Sequence, residues 1–181
     1  DALLPDHSII EEVFPEMFIL FQPRDIVSGD FYWFAEKGDS VYMAVADCTG
    51  HGVPGGFMSM IGHTILNEVI NHTNATTPAD VLKGLDEALS EMLLSKGQQS
   101  RDGMDIALVR FCKRRKKLQF SGALRPMVRV SGDKLDLIRG DKFSIGGFND
   151  RKKEFTNHEV EVNPGDNIYL FSDGYSDQFG G

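Results

Sequence analysis

The chain has 181 residues, 41% of them hydrophobic, with a formal net charge of −8 and a pI near 5.1. This supports one domain with a real core, and it excludes phosphate-backbone binding as the main activity, so no nucleic-acid partner is expected. No apolar run is long enough to cross a bilayer and no signal-peptide pattern opens the chain, so no direct membrane contact is expected. The two cysteines, Cys48 and Cys112, lack paired spacing, which argues against a disulfide framework and fits a reducing, cytoplasmic setting. The first residue is Asp1 rather than Met, which reads as a chain that begins inside a longer protein.

Residues 1–16 read as a lead-in with a short apolar stripe, Ile9, Ile10, Val13 and Phe14. Met17–Phe21 reads as a buried strand, Phe31–Phe34 begins a second, and Lys37-Gly38-Asp39 is the hairpin turn into a third, Val41–Ala46. A helix is predicted over 55–71, with Phe57, Ile61, Ile65 and Val69 at four-residue spacing and Met58 and Leu66 beside them. A second helix starts at Thr77, a good N-cap, with Pro78 in the first helical position. It runs to about Ser95, with Val81, Leu85, Ala88, Leu89 and Met92 as its buried stripe and Lys96-Gly97 as its end. The period then becomes that of strands: Ile106–Cys112 and Leu118–Ala123 around the basic turn Lys113–Lys117, Met127–Val130 and Leu135–Ile138 around Ser131-Gly132-Asp133, then Phe155–Val162 and Ile168–Ser172. Many strands on short turns with two adjacent helices predict an α+β fold of antiparallel sheets. The basic turn reads as a solvated hairpin tip, with a docking patch for an acidic partner as the alternative.

Three aspartates sit beside glycine in turns at strand ends: Ser28-Gly29-Asp30, Asp47 in Ala46-Asp47-Cys48-Thr49-Gly50-His51-Gly52, and Ser172-Asp173-Gly174. Carboxylates held this way can converge on hard divalent cations, and a metal pair can turn water into a nucleophile at neutral pH. The pattern points to a metal-dependent phosphoester hydrolase. Each aspartate taken singly is also compatible with an ordinary Asx turn. Asp102 and Asp105 offer further carboxylates at a strand start. His51 is a candidate general acid or a hydrogen-bonded turn residue, and Arg24 is a candidate phosphate ligand or a surface ion pair. No Walker loop, nucleophile elbow or zinc-protease pattern is present.

Taken together, Val27–Trp33, Ala46–Gly55, Asp102–Leu108 and Ser172–Gln178 have the order and spacing of a known family. The chain resembles the bacterial phosphatases of the SpoIIE and RsbU type, within the PP2C-like (PPM) serine/threonine phosphatases. Ser121-Gly122-Ala123 and Lys142–Gly147 fit the same group and read as turns and close packing. The resemblance covers the chain from about residue 13. It implies an αββα sandwich over 17–181, two antiparallel sheets with helices outside, holding two Mn²⁺ or Mg²⁺ ions at one edge. By motif position Asp47 bridges both ions, the backbone carbonyl of Cys48 adds a ligand, Asp173 binds one ion, Asp30 lies in the same shell, and Asp105 supports an accessory position. The implied reaction is direct attack of water on phosphoserine or phosphothreonine, without a covalent phosphoenzyme.

The implied partners are a phosphorylated regulatory protein of the anti-sigma-factor-antagonist type and an N-terminal sensor domain, with the two middle helices as the switch. Relatives continue through a helix to a last strand with another acidic ligand, whereas this sequence stops at Gly181. The expectation is therefore a C-terminally truncated fold with an exposed sheet edge that favours a homodimer. The competing readings are a non-catalytic partner-binding domain of the same fold, a chain left inactive by loss of the C-terminal acidic ligand, and a small-molecule metallophosphatase.

Overall fold

A computed structural model describes residues 5, 7–23, 26–94, 102–147 and 152–174. After a short helix α1 (His7–Val13), the hairpin β1 (Asp30–Lys37) and β2 (Ser40–Cys48) leads into α2 (Gly52–His72) and α3 (Pro78–Leu94). Seven further strands follow: β3 (Gly103–Cys112), β4 (Lys117–Ala123), β5 (Met127–Ser131), β6 (Lys134–Ile138), β7 (Ile145–Gly146), β8 (His158–Val160) and β9 (Asn167–Leu170). The larger sheet runs β1-β2-β3-β4-β8, with β7 also on β3, and the smaller runs β6-β5-β9. All strand pairs are antiparallel. β7 pairs Gly103 and Met104, the stretch of β3 just before its pairing with β4 at Ile106.

Two cores follow from the alternation of the strands. Phe31, Trp33, Ala44, Ala46, Ile106 and Leu108 pack against α2 and α3. The opposite face of the same sheet gives Ala107, Val109, Leu118 and Phe120, which meet Met127, Ile168 and Leu170 of the smaller sheet. The described order is thus helices, sheet, sheet, the α+β PP2C-like arrangement expected. α3 opens on a reciprocal cap: the Asp80 amide donates to Thr77 Oγ1 (3.2 Å), and the Thr77 amide donates to Asp80 Oδ2 (2.9 Å). The basic segment forms the turn between β3 and β4, where Lys113 pairs with Glu36 and Arg114 with Asp39.

Several elements differ from expectation. Met17–Phe21 is extended but joins no ladder, and Phe18 and Leu20 face solvent. Phe57 is 60% exposed, because α2 turns its small residues inward, Gly62 to the sheet and Gly55, Gly56 and Ser59 to the segment 27–29 and the Gly50 turn. A Cβ on Gly62 would stand 2.6 Å from Met104 Cε, so a close helix–sheet approach fixes the helix face. On α3, Leu82 and Leu93 are buried where Met92 was expected. β8 is confined to His158–Val160, since Phe155 turns edge-on to Phe143 and Thr156 bonds Asp141. Ile168 and Leu170 of β9 face the larger sheet while Tyr169 and Phe171 point to the opposite, exposed face, so the run alternates rather than being continuously buried. Lys96-Gly97 lies outside the described residues.

Candidate active site

Strand register places the acidic residues. Asp30 at the start of β1 is directly opposite Asp47 near the end of β2, and Asp47 is directly opposite Asp105 near the start of β3. A residue pair in register shares one face of a sheet, and here it is the face toward the smaller sheet. Asp173 follows β9 and approaches from that second sheet. Four of the five expected site residues are therefore brought to one end of the sandwich by three neighbouring strands and a fourth from the other layer.

The turns that hold them are tightly packed. Gly50 (φ 90°) and Gly52 (φ 62°) take left-handed conformations that let the chain reverse between Asp47 and α2. A Cβ on Gly29 would stand 2.8 Å from the Gly50 carbonyl oxygen and 3.0 Å from that of Cys48, so only glycine permits this approach. The Ser59 hydroxyl lies 2.8 and 2.7 Å from the carbonyl oxygens of Ser28 and Gly29, tying α2 to the turn before Asp30. Thr49 pins the other turn to β3: its amide donates to the Gly103 carbonyl (3.0 Å), and its Oγ1 accepts from the Gly103 amide (3.1 Å).

Side-chain partners orient the outer carboxylates. Ser172 Oγ donates to Asp30 Oδ2 at 2.6 Å, and Ser144 Oγ donates to Asp105 Oδ1 at 2.6 Å. The centre is held by a residue that sequence reasoning missed. Arg125 Nη2 lies 2.6 Å from Asp47 Oδ2, 2.5 Å from Asp173 Oδ2 and 3.5 Å from Asp105 Oδ2. The available signal was positional: β4 runs antiparallel to β3, so a residue just past Ala123 must return to the end of the sheet that carries Asp105.

Burial, the neighbouring Asp173 and the charge on Asp30 push the Asp47 carboxyl up to about 8. Asp173 moves down: burial opposes ionisation, but hydrogen bonds from Arg125 and Asp47 outweigh it. The two shifts run in opposite directions, so Asp47 is the carboxyl of the pair that favours the proton. Burial pushes the Cys48 thiol up to about 12, so the thiol is inert and only its backbone carbonyl, against Gly29, faces the turn. His51 is exposed at the N-cap of α2 and makes no capping hydrogen bond. Asp102 accepts from Thr49 Oγ1 (3.4 Å) and stands apart from the contacts around Arg125. Arg24, Asp25 and Asp177 lie outside the described residues.

Among the described residues no group of three or more His, Cys, Asp or Glu side chains forms a ready-made ion cage. The Arg125 guanidinium stands at the point on which Asp47, Asp105 and Asp173 converge. An all-oxygen carboxylate set converging on one cationic centre nevertheless suits a hard divalent ion.

A two-sheet sandwich with aspartates gathered at one end from both layers is the architecture of a PP2C-like phosphatase domain. The family model for "Stage II sporulation protein E (SpoIIE)" matches residues 37–180, and the chain belongs to the SpoIIE family of PP2C-like serine/threonine phosphatase domains. The SiaA-PP2C domain of Pseudomonas aeruginosa superposes with a TM-score of 0.87 at 35% identity, over 99% of this chain and 70% of that one. The PP2C phosphatase domain of SpoIIE from Bacillus subtilis, solved with a fragment of its regulatory domain, gives a TM-score of 0.67 at 20% identity over 83% of this chain and 41% of that one. RsbX in complex with magnesium gives 0.63 at 13% identity, over 86% of this chain and 71% of that one. Among curated protein sequences no match is found.

Proposed function

We propose that this chain is a metal-dependent protein serine/threonine phosphatase module, with Asp30, Asp47, Asp105, Asp173 and the Cys48 carbonyl as the residues that hold Mn²⁺ or Mg²⁺. The observation that carries the reading is the register of Asp30, Asp47 and Asp105 across three strands, met by Asp173 from the other sheet. Carboxylates gathered this closely from both sheets form an all-oxygen set of the kind a hard divalent cation takes. Bound there, a pair of such ions supplies a water of lowered pKa and neutralises charge on phosphoryl oxygens.

The residues of the chain do the positioning. Ser172 and Ser144 fix the outer carboxylates Asp30 and Asp105 by donating to one oxygen of each, leaving the second oxygen for an ion. Asp47 sits between them in register and would hold an ion together with Asp173. The glycine turns at Gly29 and Gly50 pack the segments that precede Asp30 and follow Asp47 closely together.

The substrate proposed is a phosphorylated regulatory protein of a bacterial signalling pathway, of the anti-sigma-factor-antagonist type, in the cytoplasm, with a sensor domain joined ahead of residues 1–16. Support for this comes from family membership. In addition, no helix among the described residues is long and apolar enough to cross a membrane.

The test is phosphate release from a phosphoserine peptide with Mn²⁺, alongside Asp47→Asn. Release is expected to require the metal and to fall by more than about a hundredfold in the variant, since even residues behind the ligands cost tenfold to a hundredfold. Release that persists in chelator, or in Asp47→Asn, contradicts the reading.

A further inference from the structure

Arg125 is absent from the sequence motifs that define the site, yet it occupies the site's centre. Its side chain is 13% exposed, and Nη2 touches three of the four carboxylates. Its Nε is buried without a hydrogen-bond partner, so the polar contacts of this head group run to the aspartates.

The turn that aims it is built for the purpose. Leu124 takes a left-handed φ of 59°, a conformation a non-glycine residue keeps only where its surroundings enforce it. The enforcement is visible: the Leu124 amide donates to the Asp141 carbonyl (2.8 Å), and the Arg125 amide donates to that of Ala123 (2.7 Å). The Arg125 carbonyl is packed so closely that a Cβ on Gly122 or Gly140 would stand 2.2 or 2.7 Å from it. A guanidinium reaching two carboxylates from a strained, close-packed turn is a placed cation rather than a surface side chain that has drifted inward.

Arg125 Nη2 holds Asp47 Oδ2 and Asp173 Oδ2, one oxygen from each of two carboxylates proposed above as metal ligands. One place cannot hold a guanidinium and a divalent cation together, because like charges at contact distance repel strongly in a partly buried site. We propose that Arg125 is a resident counter-cation of the carboxylate cluster: its guanidinium neutralises the aspartates in the metal-free protein and must withdraw for an ion to bind. The chain thereby carries its own competitor for metal, and Arg125 is a positioning and gating residue. This rests on the reading of the aspartates as metal ligands.

The test is Mn²⁺ affinity of the whole chain, read from the electron paramagnetic resonance of free Mn²⁺, for the wild type, Arg125→Met and Arg125→Lys. Arg125→Met is expected to bind Mn²⁺ about tenfold more tightly or better, the low end of what a close, partly buried charge pair contributes. Arg125→Lys, which keeps the charge but not the fork, is expected to fall between. Equal or weaker binding by Arg125→Met overturns the proposal and leaves the metal reading intact. No uptake by any of the three overturns both.

A second measurement needs no variant. The Nε–H resonance of Arg125 in the wild type, followed during titration with diamagnetic Mg²⁺, is expected to move to a new position as the site fills. A resonance unmoved at Mg²⁺ saturation overturns the proposal.

Discussion

Asp47 faces a carboxylate on either side across the sheet and an arginine in front of it. Its folded carboxyl, raised to about 8, keeps a proton that the unfolded chain releases near 3.8. Where the native state binds more protons than the unfolded one, stability falls as pH rises. The metal-free fold therefore loses stability through Asp47 between about pH 4 and pH 8. Asp173 acts the other way, stabilising above its unfolded pKa and losing that contribution only as pH drops below it. Urea unfolding of the metal-free wild type and Asp47→Asn at pH 5 and pH 8 separates them. The difference is expected to move in the variant's favour by an amount on the order of 1 kcal/mol between the two pH values. A pH-independent difference contradicts a proton held on Asp47. At this scale the sequence made Asp30, Asp47, Asp105 and Asp173 legible, because glycine turns and strand ends mark them. Arg125 was not legible, because its position depends on the turn after β4 and on packing of Gly122 and Gly140, which no local pattern announces.

The helices were legible as helices and misread in orientation. Large apolar residues at four-residue spacing put Phe57 inward, but the inward face of α2 is made by Gly55 and Gly56, against Gly50, Gly29 and Val27, and by Gly62, against Met104 and Phe31, and it turns Phe57 out. Apolar periodicity gives the axis of burial poorly when small residues form the contact. α3 is joined to the site end by a buried ion pair. Asp86 Oδ1 accepts from Lys153 Nζ at 2.7 Å and from the Gly146 amide at 2.8 Å, with the Lys153 side chain only 6% exposed. Gly146 belongs to β7, which pairs the strand that carries Asp105. Removing one partner of a buried pair leaves an uncompensated charge, so Asp86→Ala is expected to cost about 3 kcal/mol. Chemical unfolding gives the value, and a loss within about 0.5 kcal/mol, as for an ordinary surface change, counts against the pair's role. Nothing in the sequence paired Asp86 with Lys153, which stand 67 positions apart.

For the molecule as a whole, the antiparallel order was readable from short turns such as Lys37–Ser40 and Ser131–Lys134, where the hairpins close as expected. Strand existence was less secure where an alternating pattern found no partner. Met17–Phe21 is a continuous apolar run that joins no strand ladder among the described residues, and Phe155 belongs to an aromatic contact instead of β8. Which face of each strand looks to the helices and which to the second sheet required register, and register is what brings the aspartates into one row.

A crystal structure of the chain grown with Mn²⁺ and measured for its anomalous signal tests whether this row with Asp173 is a divalent-metal site with a displaceable arginine. The predicted result is a manganese peak coordinated by Asp47 and Asp173, with the Arg125 guanidinium turned away from both. A map with no manganese among these aspartates, or with Arg125 still bridging Asp47 and Asp173 beside a bound ion, contradicts it.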